Sequence, residues 1–482
     1  MYDLIVIGDD ISSYIASTVA SHYGLNTAHI AKHNIESTYS IGDYFFNLDP
    51  ALITGFGVNQ TGHSLLSELN ISFTDEEAFL LNPSYQIIMP EHRLDFSNDK
   101  DSLVNDLIRE FPEKAREIKA FYNAVEKNSK IFLKWMQKHP FIQPRNIKDY
   151  FNYIELIPYL IRFRFYAMKF KRTIFRNESL RKVLQAQYAL LSCEKDGFDS
   201  FTAHFQYSAP LRGVYNFQRG KLTLLSLLIN KFQSNNGKYF DNCGLLSLKK
   251  GKEIEMEITD SKGIISKISA KYLIISNKSE AIQLLLKRKK RRINIGEWIR
   301  PTRISHYPFT LHLGILQKNI PEKMAAHVAV ISDANKDIYD DNNLIILELS
   351  PAKDKKRISK GQILLSATVY LPDDPKLWSK KKLNENAHSI IERLEFFLPF
   401  LKENIQFIDI DKSIEISMKY RDIVNPKYQL RSSFISGFFA KNNKTRFRNI
   451  YLTGASLLME AGFEGEIVSG MYGVYKVLNK RK

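Results

Sequence analysis

Cysteine is nearly absent: the 482 residues hold only Cys193 and Cys243, in no metal-ligand or redox spacing. That excludes a disulfide framework and leaves both as reduced structural residues. Also missing is any run of ~18 or more uninterrupted apolar residues, so no membrane-spanning helix is expected. The first ten residues carry Asp3, Asp9 and Asp10 and no cation, unlike a secretory leader, and the expectation is a cytoplasmic protein. There is no P-loop, nucleophile elbow or paired metal ligand set, and no helix-turn-helix, zinc or RNA-binding sheet signature. Internal repeats and low-complexity tracts are absent as well.

What is present is an ordinary globular composition, 44% hydrophobic and 25% charged, in a chain longer than one hydrophobic core comfortably serves, so two or three joined domains are expected. Lys and Arg number 69 against 52 Asp and Glu, a formal net charge of +17 that attracts anionic partners. Two clusters concentrate it. One is KRKKRR at 287 to 292, a candidate docking surface for a protein partner. The other threads Arg162, Arg164, Lys169 and Lys171 among Phe163 and Phe165. Cations interleaved with aromatics fit a monotopic contact with an anionic membrane, and equally a solvated helix face over a core. Without a nucleic-acid motif beside them they give no reason to expect nucleic acid.

Along the chain, YDLIVIG reads as a strand ending at a glycine, a helical pattern follows through Ile15, Val19 and Tyr23, and LNTAHIAKH reads as a second strand. That is the mononucleotide-binding unit. From about 100 to 210 the period is helical, as in EIKAFYNAVEKNSKIFLKWM and SLRKVLQAQYALL. The helix KLTLLSLLINKFQS is closed by Asn236 and Gly237, and the SKG turn reads as a hairpin. YPFTLHLGIL, AAHVAVIS, NLIILELS and GQILLSATVYL read as strands, NENAHSIIERLEFFL as a helix, and RNIYLTGAS precedes a terminal helix. The order implies an α/β protein: a Rossmann-like domain assembled from discontinuous segments, interrupted by a second domain of mixed sheet plus helices.

Four stretches together resemble the phytoene desaturase-like branch of the FAD-dependent oxidoreductases, within the wider fold shared with amine oxidases. They are YDLIVIGDDISS, GDYFFNLDPALITG, the pair GVYNFQRGKLTLLSLL and ISAKYLIISN, and NIYLTGASLLMEAGFEGEIVSGMYGVYKVL. The resemblance implies a flavin domain from 1–95, 213–292 and 440–482, a helical, membrane-facing region at 96–212, and a substrate domain at 293–439 over a tunnel for a polyprenoid or other apolar molecule. FAD is the implied cofactor, and no metal is.

Set against that pattern, Gly8 keeps the first glycine of the phosphate-binding turn, whereas Asp10 and Ser13 stand at the second and third. Asp9 and Asp10 place two negative charges at a helix N-terminus suited to a phosphate and are expected to act as its caps. Unit charges ~4 Å apart repel by ~1 kcal/mol in water and by more in a cleft. The acid that would bind a ribose hydroxyl at the end of the second strand is replaced by Ala31, with Lys32 and His33 after it. Gly42, Gly454, Ala455 and Gly462 match the implied flavin site, while Glu460, Glu464 and Glu466 surround its C-terminal part. His29 and His33 are four apart, a spacing that does not align two metal ligands on a strand. The expectation is therefore a flavin-poor or non-catalytic pseudoenzyme that binds or presents a polyprenoid-type lipid at a membrane, as the Rab GDP-dissociation inhibitors and escort proteins of the same superfamily handle prenylated partners. The alternatives are an active FAD-dependent desaturase, saturase or isomerase acting on CH–CH groups, and a scaffold for an active paralogue.

Overall fold

The computed structural model describes residues 1–34, 40–41, 44–49, 52–138, 168–286, 302–351, 361–421, 423–430 and 447–481, with single positions at 151, 154, 158, 161, 353, 354, 357 and 445. Gly42, Arg162, Phe163, Arg164, Phe165 and the basic run at 287 to 292 lie outside the described residues.

The chain opens with β1 (Tyr2–Ile7), α1 (Ile11–His22) and β2 (Thr27–Ile30). A hairpin of β3 (Tyr85–Ile88) and β4 (Arg93–Phe96) precedes helices that include α2 (Ala115–Lys138) and α3 (Glu178–Leu191). Next come α4 (Lys221–Ser234), β5 (Lys238–Phe240) and the meander β6 (Gly244–Lys249), β7 (Ile254–Thr259) and β8 (Ile265–Ser276). Four strands follow, the first and last of them long: β9 (Thr302–Leu316), β10 (His327–Ile331), β11 (Leu344–Leu349) and β12 (Gln362–Pro372). The chain continues through α5 (Lys380–Phe397), β13 (Ile405–Ile408), α6 (Ile410–Lys419) and β14 (Lys427–Leu430). It ends in β15 (Ile450–Thr453) and α7 (Gly462–Arg481).

Two sheets organise these elements. In the first, ordered β5-β2-β1-β8-β7-β6 with β15 on β8, the strands from β5 to β8 and β15 run parallel and the meander is antiparallel. β1 reads as an unbroken apolar run because it is covered on both faces: Leu4 and Val6 join the cluster under α1, α4 and α7, while Ile5 and Ile7 join the cluster under the meander. The second sheet is ordered β13-β9-β12-β11-β10-β3-β4, with β14 also on β9. Its middle strands bury both faces too. Ala329 faces the helical core around α2 and α3, and Val328 and Val330 face Leu383, Ile390 and Leu394 of α5. Each such aliphatic side chain contributes roughly 1.5–3 kcal/mol by leaving water. The result is a mixed α/β architecture in which the C-terminal ends of β1, β8 and β15 meet the start of α1, the place where open α/β sheets bind ligands.

Candidate functional site: the turn after the first strand

α1 begins where Asp10, in extended backbone at φ −88° and ψ 158°, caps it. The carboxylate is 2% exposed and fully engaged. Oδ1 accepts from the Ser13 backbone N–H at 3.1 Å, the Ser13 hydroxyl at 2.6 Å and the Ser12 hydroxyl at 2.9 Å, and Oδ2 accepts from the Ser276 hydroxyl at 2.6 Å. An anion already sits on the helix N-terminus, and it belongs to the chain. Gly8 is held to glycine by the same packing, since a Cβ there would lie 2.3 Å from Ser13 Oγ and 2.6 Å from Ser276 Cβ.

Asp9 does not join Asp10 as a cap. It turns to the end of β2, where its carboxylate accepts from the backbone N–H groups of Lys32 at 3.2 Å and His33 at 2.9 Å. Ala31 offers only backbone, with its N–H donating to the Phe240 carbonyl at 2.8 Å. His29 and His33 are not brought together: His29 lies with Nδ1 2.7 Å from Ser17 Oγ and Nε2 2.8 Å from the Gly8 carbonyl, while His33 packs edge-on to Tyr420. Among the described residues no group of three or more His, Cys, Asp or Glu is placed to hold a metal ion.

Beyond Asp10 lies a buried ionic network whose members come from five segments. The Lys221 ammonium, at the start of α4, pairs with Asp49 at 2.8 Å. The Asn425 amide donates to Asp49 at 3.1 Å and to Glu466 of α7 at 2.8 Å. Lys278, just past β8, donates to the Ile423 carbonyl at 2.8 Å and to Asn425 Oδ1 at 2.9 Å, and its ammonium is 3.8 Å from Glu466. Burial acts on Lys278 to lower its pKa, but Glu466, Asp10 and Asp49 outweigh it and the value rises. Burial raises the pKa of Glu466, against the pull of Lys278 and Lys221. Glu464, completely buried, pairs with Arg212, whose guanidinium also lies 3.8 Å from the Phe205 ring centre.

Gly454 lies at φ +119°, and a Cβ there would fall 1.6 Å from Asn277 Oδ1. Its N–H donates to Ser469 Oγ at 2.7 Å. Ala455 is buried, and Gly462 opens α7. Of the expected C-terminal motif, Gly454 and Glu466 come to Asp10: a Cβ on Gly454 would lie 3.2 Å from Asp10 Oδ2 and Glu466 lines the same small space, whereas Gly462 packs on the Leu191 carbonyl and Ala455 beside Cys193 and Met459. The space left between Asp9, Asp10, Asp49, Lys221, Ile423 and Glu466 is about 20 Å³. That is room for one water beside Asp10, while Asp9 also lines a pocket of about 660 Å³ with Ile7, Ile30, Lys32 and Glu280 at the same end of the sheet, a volume within the ligand range. At the head of α1 the donors of Ser12, Ser13 and Ser276 are taken by Asp10.

Sequence reasoning missed Asp49, Lys221, Lys278, Arg212 and Asn425. Asp49 in FFNLDP and Lys221 in QRGK lay within the matched stretches, but nothing local marks them as partners.

No protein-family model and no curated protein sequence matches the chain. Solved structures do. An oxidoreductase from Methanosarcina mazei aligns with a TM-score of 0.59 at 12% identity, over 97% of this chain and 99% of that one. Cyclohexylamine oxidase from Brevibacterium oxydans gives 0.55 at 9% identity, over 100% and 99%. A Rab GDI from Plasmodium falciparum gives 0.53 at 12% identity, over 99% and 98%. At such identities the likeness establishes only a fold shared with this oxidoreductase, this amine oxidase and this Rab GDI, and function rests on the site.

Proposed function

We propose that this chain works without flavin, as a non-catalytic protein of the oxidoreductase fold that binds an apolar, polyprenoid-type lipid at a membrane surface. The observation that carries the reading is Asp10: its carboxylate takes the hydrogen bonds at the head of α1 that a cofactor diphosphate would need. An incoming diphosphate meets like charge in a nearly dry setting, where repulsion is several times its value in water. The likeness to a Rab GDI accords with a binding role on this fold. The lipid half draws support from apolar side chains left in solvent at helical spacing, Phe151, Ile154 and Ile161, 61%, 52% and 55% exposed. Lys169 and Arg172 lie exposed after them. Among the described residues no helix is long and apolar enough to cross a membrane, which accords with contact from one side. The likeness to oxidoreductases keeps the active FAD-dependent enzyme as the alternative.

The absorption spectrum of the purified protein decides between them. The expected spectrum lacks flavin bands; a yellow protein that releases flavin on denaturation overturns the reading. A paired change, Asp10→Gly with Ser13→Gly, sharpens it, with measurably greater FAD uptake expected from the double variant. Unchanged uptake would mean that this turn is not what limits binding.

A further inference from the structure

We propose that the outer end of the second sheet carries a binding site for a single-chain amphiphile with an anionic head, the chemistry shared by fatty acids and by alkyl or prenyl phosphates. The site deepens the lipid-binding reading, on which its biological sense rests, but its geometry is separate from the turn at Asp10.

α5 covers the outer face of the sheet over β10, β11 and β12 and stops at Phe397, while the sheet continues to the hairpin of β3 and β4. Between that hairpin, the end of α5 and the loop at 321–324 a cavity of about 230 Å³ remains. Its walls include Ile88, Val330, Leu347, Phe397 and Leu398, all of them buried. The polar side chain among them, Gln86, is already satisfied: Nε2 donates to Asp95 at 2.7 Å and to the Lys323 carbonyl at 2.9 Å, and Oε1 accepts from the Ala325 N–H at 2.8 Å. A polar ligand therefore finds no partner inside, whereas a hydrocarbon tail loses nothing by entering.

The rim has the opposite character. Arg93, Arg109 and Lys323 stand there beside Asp95. Arg109 is fixed by Asp106 at 2.5 Å, Glu110 at 3.3 Å and the Arg93 carbonyl at 3.1 Å. Arg93 and Lys323 are exposed and supply the cations for a head group. A surface groove of about 1110 Å³ borders the cavity, the two sharing Asp95, Pro321, Lys323 and Met324 in their walls. Phe396 and Phe400, 72% and 63% exposed, are chain neighbours of Phe397 and Leu398 and leave apolar surface in solvent on this part of the chain. Apolar walls with no unmet polar group, closed by a cationic rim, select an anion on a hydrocarbon tail rather than a nucleotide or a neutral sugar.

Calorimetric titration of the full chain with dodecanoate, dodecyl phosphate and dodecanol tests this. Both anions are expected to bind, and dodecanol about tenfold or more weakly, because charged hydrogen bonds to the head are lost. Tight binding of the carboxylate alone, or of the phosphate alone, identifies the head group. Arg93→Glu, at an exposed position, is expected to weaken the anions about tenfold and leave dodecanol unchanged. Val330→Phe fills the cavity and is expected to abolish all three. If that variant fails to fold, Arg93→Glu decides the matter alone. Absence of binding, equal affinity for dodecanol and dodecanoate, or an Arg93→Glu protein that binds like the parent overturns the proposal. A flavin spectrum would overturn the flavin-free reading and leave amphiphile binding at this site standing.

Discussion

Around Asp10 the protein packs acidic and basic side chains so closely that about 20 Å³ is left among them, whereas at the outer end of the second sheet largely apolar walls line about 230 Å³. The two places differ in what it costs to leave them empty. A gap between charges in a dry interior strips them of solvent without giving them partners, and each stranded charge costs several kcal/mol. A gap between aliphatic groups forfeits dispersion contacts, a smaller loss that a visiting chain can restore. The first region is therefore expected to be rigid and intolerant of substitution. The second is expected to tolerate change and to respond to ligand.

The largest break in this contrast is expected from Lys278→Met. It removes the cation 3.8 Å from the buried Glu466 and the donor to the Ile423 carbonyl. Removing one member of a buried pair costs about 3–5 kcal/mol, seen as a lower denaturation midpoint at unchanged slope. Combined with Glu466→Gln, the loss is expected to be smaller than for Lys278→Met alone, and the double-mutant cycle measures the coupling directly. Additive losses would show that the two groups do not act as a pair.

Next in size is an acid effect beneath the same turn. Burial lowers the pKa of His29 from 6.5 to about 4, so the unfolded chain binds more protons than the folded one between those values. Stability is then complete above pH 6.5 and is lost as pH falls through 4. A shift of this size corresponds to about 3 kcal/mol. Denaturation series from pH 7 to pH 4 are expected to fall more steeply for the parent than for His29→Asn, and parallel slopes would remove His29 from the acid response.

Much of the scaffold could be read in advance, and the reason is local. The run of Leu4 to Ile7, the cap at Asp10 and the periodicity of Lys221 to Ser234 each specify an element within a few residues. The SKG turn joins β7 to β8 as a hairpin, Thr259 facing Ile265, for the same reason. Asp10 was legible as an intruding acid because the glycine pattern fixes what its position should hold. Its partner Ser276 lies 266 residues away, and Asn425 bridges Asp49 and Glu466 across 376 and 41 residues. Such pairs arise only when the sheets are assembled, and composition and spacing are silent about them. Asp9 shows the same limit on a smaller scale, since sequence made it a second cap and tertiary contact gave it the amides of Lys32 and His33 instead.

The smallest effect on stability is expected at the surface, where Lys171 pairs with Asp199 at 2.7 Å with the two side chains 61% and 28% exposed. Water screens such a pair and both side chains lose freedom in forming it, so Lys171→Ala is expected to change unfolding by less than ~1 kcal/mol. Its effect on liposome flotation is a separate matter, because a cation near an anionic leaflet gains about 1 kcal/mol whether or not it is paired beforehand. Charge reversal at Lys169 and Lys171 is thus expected to release the protein from anionic vesicles while leaving its denaturation curve nearly in place. Loss of both together would mean that these lysines support the fold, and loss of neither would place the membrane contact elsewhere. Only separation of the two readouts sets this face apart from the interior at Asp10, where charge is part of what keeps the chain folded.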